Sequence, residues 1–345
     1  SNSSKNQSNK RPRRSLRIGQ QQFGPFWTEN TNDTPTESLN QSNTSSIPDW
    51  LNIPFLVWDH QLIKFLGLKQ VAIMRGVNRF FEPCWVRRFK LNLLPLRVPY
   101  DIETLDRAMR VIEILIDRKP GTPYSKEDPL VVELGKGKHQ ITSSWTSSGG
   151  ANLLTTLGFT RSNVTFLGKG KDETKILGGF AIRDLDNITF KEMTVTNTSE
   201  YGSGYGIHMM NAKVKLFDVA LNGCGDGGLN VNRSTSETSV VATRCEFTNS
   251  KWGFIVGGGS GSLTSAKFNN CVFNENQFYG IYGANKAKIH LHGEATAIHS
   301  NGDIGIQAHS SAKVLIHLPS NHNTSYNNGG QDRYTSSGGT ITTNI

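Results

Sequence analysis

The sequence predicts a mainly β solenoid, a parallel β-helix of short stacked coils, over its C-terminal two thirds. Gly followed by a large apolar residue recurs as Gly206-Ile207, Gly228-Leu229, Gly253-Phe254, Gly280-Ile281 and Gly305-Ile306, at intervals of 22, 25, 27 and 25 residues. A second column keeps step with it: Ala212-Lys213-Val214-Lys215-Leu216, Ala287-Lys288-Ile289-His290-Leu291 and Ala312-Lys313-Val314-Leu315-Ile316. A period in the low to middle twenties with several short strands per repeat belongs to an array in which each coil buries its inner face against its neighbours. Leucine-rich repeats fit poorly because their Leu/Asn consensus is missing.

Residues 1–48 are rich in Ser, Asn, Gln and Thr and poor in aliphatics, so they cannot bury enough surface to offset the entropy of ordering, and a disordered tail is expected. Lys5, Lys10, Arg11, Arg13, Arg14 and Arg17 precede the first acid, Glu29, and carry most of the formal net charge of +9. Five cations between Lys10 and Arg17 suit a nuclear import signal or contact with a phosphate backbone. Without exposed aromatics or a reading module beside them, such contact would be independent of nucleic-acid sequence.

Residues 49–98 change to helical spacing. Phe55, Trp58, Leu62, Phe65 and Leu66 share one face; Val71, Met74, Val77 and Phe81 share another, with Gly67 between the two helices. Residues 99–128 hold a third helix, with Asp101 as N-cap and Ile102, Leu105, Met109, Ile112 and Leu115 recurring at three to four residues, up to Lys119-Pro120-Gly121. This helix is placed to plug the open end of the solenoid.

From 129 to 345 short runs alternate apolar with polar: Val131-Val132-Glu133-Leu134, Val164-Thr165-Phe166-Leu167 and Ile188-Thr189-Phe190 read as strands between Gly and Asn turns. Asn249, Asn276 and Asn301 each stand four residues before a repeat Gly, where Asn suits a sharp left-handed corner. In the second column the aliphatics point inward. Lys213, Lys288 and Lys313 point outward as a basic column joined by Lys267.

From Val131 to about Asn327 this coil pattern resembles right-handed parallel β-helix families, including pectate-lyase-like folds and the repeats of carbohydrate-binding and sugar-hydrolysing proteins. The resemblance implies the fold and leaves the activity open. Over residues 53–90, Ile53-Pro54-Phe55-Leu56, then Leu62-Ile63-Lys64-Phe65-Leu66, Val71 and Val77-Asn78-Arg79-Phe80-Phe81, resemble an F-box. Proteins with an F-box before β-helix repeats are similar to substrate adaptors of cullin-based ubiquitin ligases. The resemblance implies that Pro54, Leu56, Leu62, Phe65, Leu66, Val71 and Val77 hold the ligase's linker subunit and that the β-helix recruits a target. An ordinary helical cap with similar spacing is the competing reading, and large DNA viruses also encode F-box-like proteins.

Chemistry is sparse. The acids that could serve a sugar-cleaving or cation-binding site are Asp184, Asp186, Asp218, Asp226 and Asp303. Asp226 and Asp303 hold equivalent places two residues before a repeat Gly, but three coils, about 14 Å, separate them, too far for either glycosidase geometry. Asp184 and Asp186, beside Arg183, read as a solvated turn. His290 and His292 share a strand face and His317 aligns with His292 one coil on; a surface polar column is expected there, and no metal or other cofactor. Cys245 and Cys271 precede Phe247 and Phe273 at equivalent positions, so all four side chains should be buried. Gly257-Gly258-Gly259 lacks the Lys-Ser/Thr of a phosphate loop, and no nucleophile elbow or zinc-protease helix occurs.

Four cysteines without a C-x-x-C pair favour a reduced compartment. No apolar run reaches the roughly 20 residues that span a bilayer, and no secretory segment is present at the N-terminus. The Asn-x-Ser/Thr triplets at Asn163, Asn187 and Asn232 would matter only in a secreted protein. The leading expectation is a non-enzymatic adaptor of the nucleus or cytoplasm, or of a virus particle. A nucleic-acid-associated structural protein and a carbohydrate-active β-helix are the alternatives.

Overall fold

The computed structural model describes residues 95–116, 125–147, 150, 152–199, 202–232, 235–256 and 264–343. The basic tail, the F-box-like residues Pro54 to Val77, Cys84 and the 257–259 glycines lie outside them.

The described residues form a parallel β-helix with three faces. The first face runs from Leu96–Val98 through Leu130–Leu134, Val164–Leu167 and successive coils to Lys313–Ile316 and Thr340–Thr343. The second includes Thr174–Leu177, Glu246–Thr248, Val272–Asn274 and Ala297–His299. The third has eight strands, from Thr156–Gly158 to Arg333–Thr335, and carries the Gly-apolar repeat. Here Ile207, Leu229, Phe254, Ile281 and Ile306 lie in one register column, as the sequence spacing predicts. Every coil-to-coil pairing on these faces is parallel, which the period of the repeat requires because each coil must return to its starting face.

Corners are made by left-handed residues. Glu192, Asp218, Arg244, Asn270 and Gly293 turn the chain from the first face to the second, and Gly223, Asn249, Glu275, Ser300 and Asn327 turn it from the second to the third. The left-handed position is therefore filled by Asn at Asn249 but not at Asn276 or Asn301, a correction to the expected corner. Those two stand one residue later and point inward, each 1% exposed. Ser250, Asn276, Asn301 and Asn328 form a ladder: the Asn276 side chain donates to Asn301 Oδ1 at 2.9 Å, Asn301 donates to Asn328 Oδ1 at 2.8 Å, and the Ser250 backbone N–H donates to Asn276 Oδ1.

The core is a continuous column. Phe247 and Phe273 stack at 4.5 Å with Phe268 edge-on to both. Phe159, Phe166, Phe180 and Phe190 cluster nearer the N-terminal end. Each fully buried Phe contributes roughly 2–3 kcal/mol of apolar transfer energy before the entropic cost of ordering it. Cys245 and Cys271 are buried thiols in the same core, as their alternation with the phenylalanines predicts.

One helix, Leu105–Ile116, occurs among the described residues. Its Leu105, Ala108, Met109 and Ile112 join the core cluster at the N-terminal end of the solenoid. Asp106 anchors it by accepting from the Ser143 and Thr142 amides. The helix begins later than Asp101. Asp101 folds back to accept from the Arg97 amide and side chain, while Thr104 Oγ1 accepts from Arg107 N–H and caps the helix. Leu96–Val98, at the end of the region with helical spacing, is a strand paired with Val132–Leu134.

Candidate functional site

The outer surface of the third face is rich in aromatic and amide side chains. In one register column Tyr205, Gly227, Trp252 and Tyr279 succeed each other coil by coil. In the other, His208, Asn230, Ile255, Tyr282, Gln307 and Tyr334 do so. Trp252 contacts Phe278 at 6.1 Å, Tyr279 contacts Tyr282 at 5.6 Å, and Tyr282 stacks toward His309 at 6.4 Å. Phe278 and Tyr334, each 38% exposed, are among the exposed large hydrophobic side chains of the described residues. Strand alternation explains the second column, because Ile255 and Tyr282 stand beside the inward Phe254 and Ile281; in the first column Trp252 and Tyr279 precede two consecutive buried residues, Gly253-Phe254 and Gly280-Ile281, where the alternation is interrupted.

Beside this strip, at the corner between the second and third faces, lies an open groove of about 620 Å³ lined by Thr198, Asn249, Ser250, Lys251, Glu275, Gln277 and the backbone of 223–225. Lys251 joins groove to strip. Its ammonium bonds Asp226 Oδ1 at 3.0 Å, and Asp226 Oδ2 accepts from Gly204 N–H at 3.1 Å. Asp226 is buried, and its charge raises the neighbouring Tyr205 phenol in addition to the larger effect of burial, to about 12. His208 sits deeper: burial pushes its imidazole down to about 4, and Nδ1 contacts the Asn230 amide nitrogen at 3.0 Å. The neutral ring accepts that bond, which places its proton on Nε2.

The acids singled out in the sequence are dispersed, and Asp184, Asp218 and Asp226 are each paired with a cation. Asp226, Lys251, Phe278 and Asp303 follow one another at the same corner, so the two carboxylates are three coils apart, as the sequence predicts. Asp218 makes a two-point pair with Arg244 at 2.8 and 2.5 Å, and that bond holds its carboxyl below the ordinary range. Asp184 accepts from Arg183 and Asn211 in a left-handed turn, with Asp186 exposed two residues on. The separation of Asp226 from Asp303 is not the paired-carboxylate geometry of glycoside cleavage.

Lys213, Lys288 and Lys313 share a register column, but Ser239 and Ser265 stand between Lys213 and Lys288, and Lys213 pairs with Glu237 at 3.0 Å. Lys267 is not in that column, a correction: it pairs with His290, two residues on, because Ser265 is the partner of Lys288. The basic column is thus one adjacent pair, Lys288 and Lys313. His290, His292 and His317 converge on the first face. Burial lowers the His290 and His292 imidazoles, with smaller repulsion from His317 and Lys267.

The aromatic strip was missed in the sequence, although a signal for it exists: Tyr205, Gly227, Trp252 and Tyr279 are the residues directly before the repeat glycines.

No protein family and no curated protein matches this chain. Among solved structures it is similar to ORF18 of Geobacillus virus E2, with 11% identity over 61% of this chain and a TM-score of 0.41; this chain spans half the length of that protein. It is also similar to pectate lyase Bsp165PelA of Bacillus sp. N165, solved in complex with trigalacturonate, at 12% identity, 68% and 76% coverage of the two chains and a TM-score of 0.39. The A-module of the mannuronan C-5 epimerase AlgE6 of Azotobacter vinelandii follows at 15% identity, 68% and 74% coverage and a TM-score of 0.24.

Proposed function

We propose that this chain is a non-enzymatic binding scaffold whose third face holds an extended, polyhydroxylated polymer such as a neutral polysaccharide. The observation that carries the reading is the outward strip of Tyr205, Trp252, Phe278, Tyr279 and Tyr282 beside a groove of hydroxyls and amides with one cation, Lys251, and one acid, Glu275. Flat aromatic faces offer apolar area to sugar rings at little entropic cost, and hydroxyl and amide groups supply hydrogen bonds to the ring substituents. A protein partner would favour a larger apolar centre with arginine anchors. Binding without cleavage follows from the acids: Asp226 is committed to Lys251 and Gly204, and Asp303 is about 14 Å away along the stack.

Electrophoresis of the full chain through gels containing soluble neutral polysaccharides tests this, run beside a reducing-end assay. Retardation that disappears in Trp252→Ala/Tyr282→Ala, with no new reducing ends, is the expected result. Unretarded migration in every neutral gel would overturn the reading, and so would released reducing ends.

A second reading keeps the same scaffold as a ubiquitin-ligase adaptor, and the F-box-like run from Ile53 to Phe81 favours it. In that reading Pro54, Leu56, Leu62, Phe65, Leu66, Val71 and Val77 engage a linker subunit while the β-helix recruits the target. Recovery of the linker and cullin from a eukaryotic lysate by the wild type, and their loss in a folded Leu62→Asp/Leu66→Asp variant, would support it. Equal recovery by both would remove it.

A further inference from the structure

We infer that His290, His292 and His317 form a binding site for a borderline transition-metal ion, Zn²⁺ or a close relative, on the outer surface of the first face. His290 and His292 alternate outward in the strand Lys288–His292, and His317 follows the strand Lys313–Ile316 in the next coil. The ladder fixes their placement. Leu291 pairs with Ile316, His290 pairs with Leu315, and the His317 amide donates to Leu291 O at 2.9 Å. The three rings are already gathered: His292 and His317 stack at 4.2 Å, His290 and His317 lie at 5.2 Å, and His290 Nδ1 meets His317 Nε2 at 2.9 Å.

One nitrogen from each imidazole lies within 4.8 Å of the others. Tetrahedral coordination at Zn–N distances of about 2.0–2.1 Å sets the nitrogens about 3.3–3.4 Å apart. The largest adjustment is therefore about 1.5 Å, within reach of ring rotation with the backbone unmoved. The parallel stacking has to open for this, because a ring coordinates along a lone pair in its own plane. All three side chains are only partly buried, which leaves them room to turn, and three protein ligands would leave the fourth position of a tetrahedral zinc to water or another ligand. Three neutral nitrogen donors suit zinc, copper or nickel over calcium or magnesium, which prefer oxygen.

A polar surface column does not require this convergence. Elsewhere in the column of His290 the residues are Lys215, Val241, Lys267 and Leu315, and in that of His292 they include Phe217, Thr243 and Asn269. Lys267 and Lys288 oppose a bound cation, but both are exposed and screened by solvent. Their charge makes the site weaker than a closed structural one, and it supplies a handle for testing.

The experiment is calorimetric titration of the full chain, free of any affinity tag, with ZnCl₂, together with Co²⁺ absorption in the visible. The wild type is expected to take up zinc at this site and to give Co²⁺ bands. His292→Gln and His317→Gln should each weaken zinc binding on the order of tenfold or more and abolish the bands. His299→Gln, on the second face, should change neither, and Lys267→Gln should tighten binding roughly twofold or more. Equal metal-free unfolding midpoints for the variants would exclude loss of fold. No zinc uptake by the wild type, or undiminished uptake by folded His292→Gln and His317→Gln, would overturn the inference.

Discussion

Asn276 donates through its side-chain nitrogen to Asn301 Oδ1 at 2.9 Å, inside the coil, where each residue is 1% exposed. Asn301 in turn donates to Phe273 O and to Asn328. Replacing Asn301 by Ala leaves several buried groups unpaired in a low-dielectric corner, each loss costing about 1–3 kcal/mol. Asn301→Ala should therefore destabilise the protein by about 3 kcal/mol in urea unfolding. A loss under about 1 kcal/mol would mean that water replaces the ladder.

The residue before each rung carries backbone strain instead. Glu275 holds φ of 56° at an exposed corner where the equivalent residues are Gly223 and Asn249. A left-handed conformation costs most L-residues roughly 1–2 kcal/mol, and Asn less. Glu275→Asn should raise stability by about 0.5–1 kcal/mol, seen as a higher urea midpoint at unchanged slope.

These two positions also show what was legible in the sequence. The repeat glycines and their apolar partners gave the third face in register, because inward-facing residues obey a packing rule visible at fixed spacing. The Asn column was visible too, but its role was misread. Distance to the next Gly does not distinguish a corner residue from the one beside it, and the true corner varies among Gly, Asn, Glu and Ser. The aromatic strip was harder to see. Trp252 becomes a neighbour of Tyr279 only across coils of unequal length, and nothing in the core dictates an outward residue. The histidines fell between these cases: alignment gave two of the three close pairs, whereas the contact of His290 with His317 depends on side-chain direction.

His208 makes stability depend on pH. Its imidazole falls from 6.5 to about 4 on folding, chiefly through burial. A lowered folded-state value means that the unfolded chain binds the proton more readily, so the contribution is complete above pH 6.5 and is lost as pH falls toward 4. The full difference amounts to about 3 kcal/mol. His208→Gln should show a smaller drop in unfolding free energy between pH 7 and pH 4 than the wild type. Parallel curves for the two proteins would place the acid sensitivity elsewhere.

The geometry of the third face also fixes how affinity should grow with ligand length. From Tyr205 through Gly227 and Trp252 to Tyr279 is three coil steps, and the second column carries the strip two coils further to Tyr334, about 24 Å in all. A ligand lying along the stack meets aromatics at the coils of Tyr205, Trp252, Tyr279 with Tyr282, and Tyr334, but none in these columns at the coils of Gly227 and Gln307, each contact being worth roughly 0.5–1.5 kcal/mol. Affinity for a graded series of oligosaccharides should thus rise in steps, as each further aromatic is reached, until the chain covers that span, then level off. Trp252→Ala should remove roughly threefold to tenfold in affinity for long oligomers while leaving that of the shortest ones nearly unchanged. A ligand bound across the coils would give length-independent affinity beyond one or two residues, because it would meet only the aromatics of a single coil.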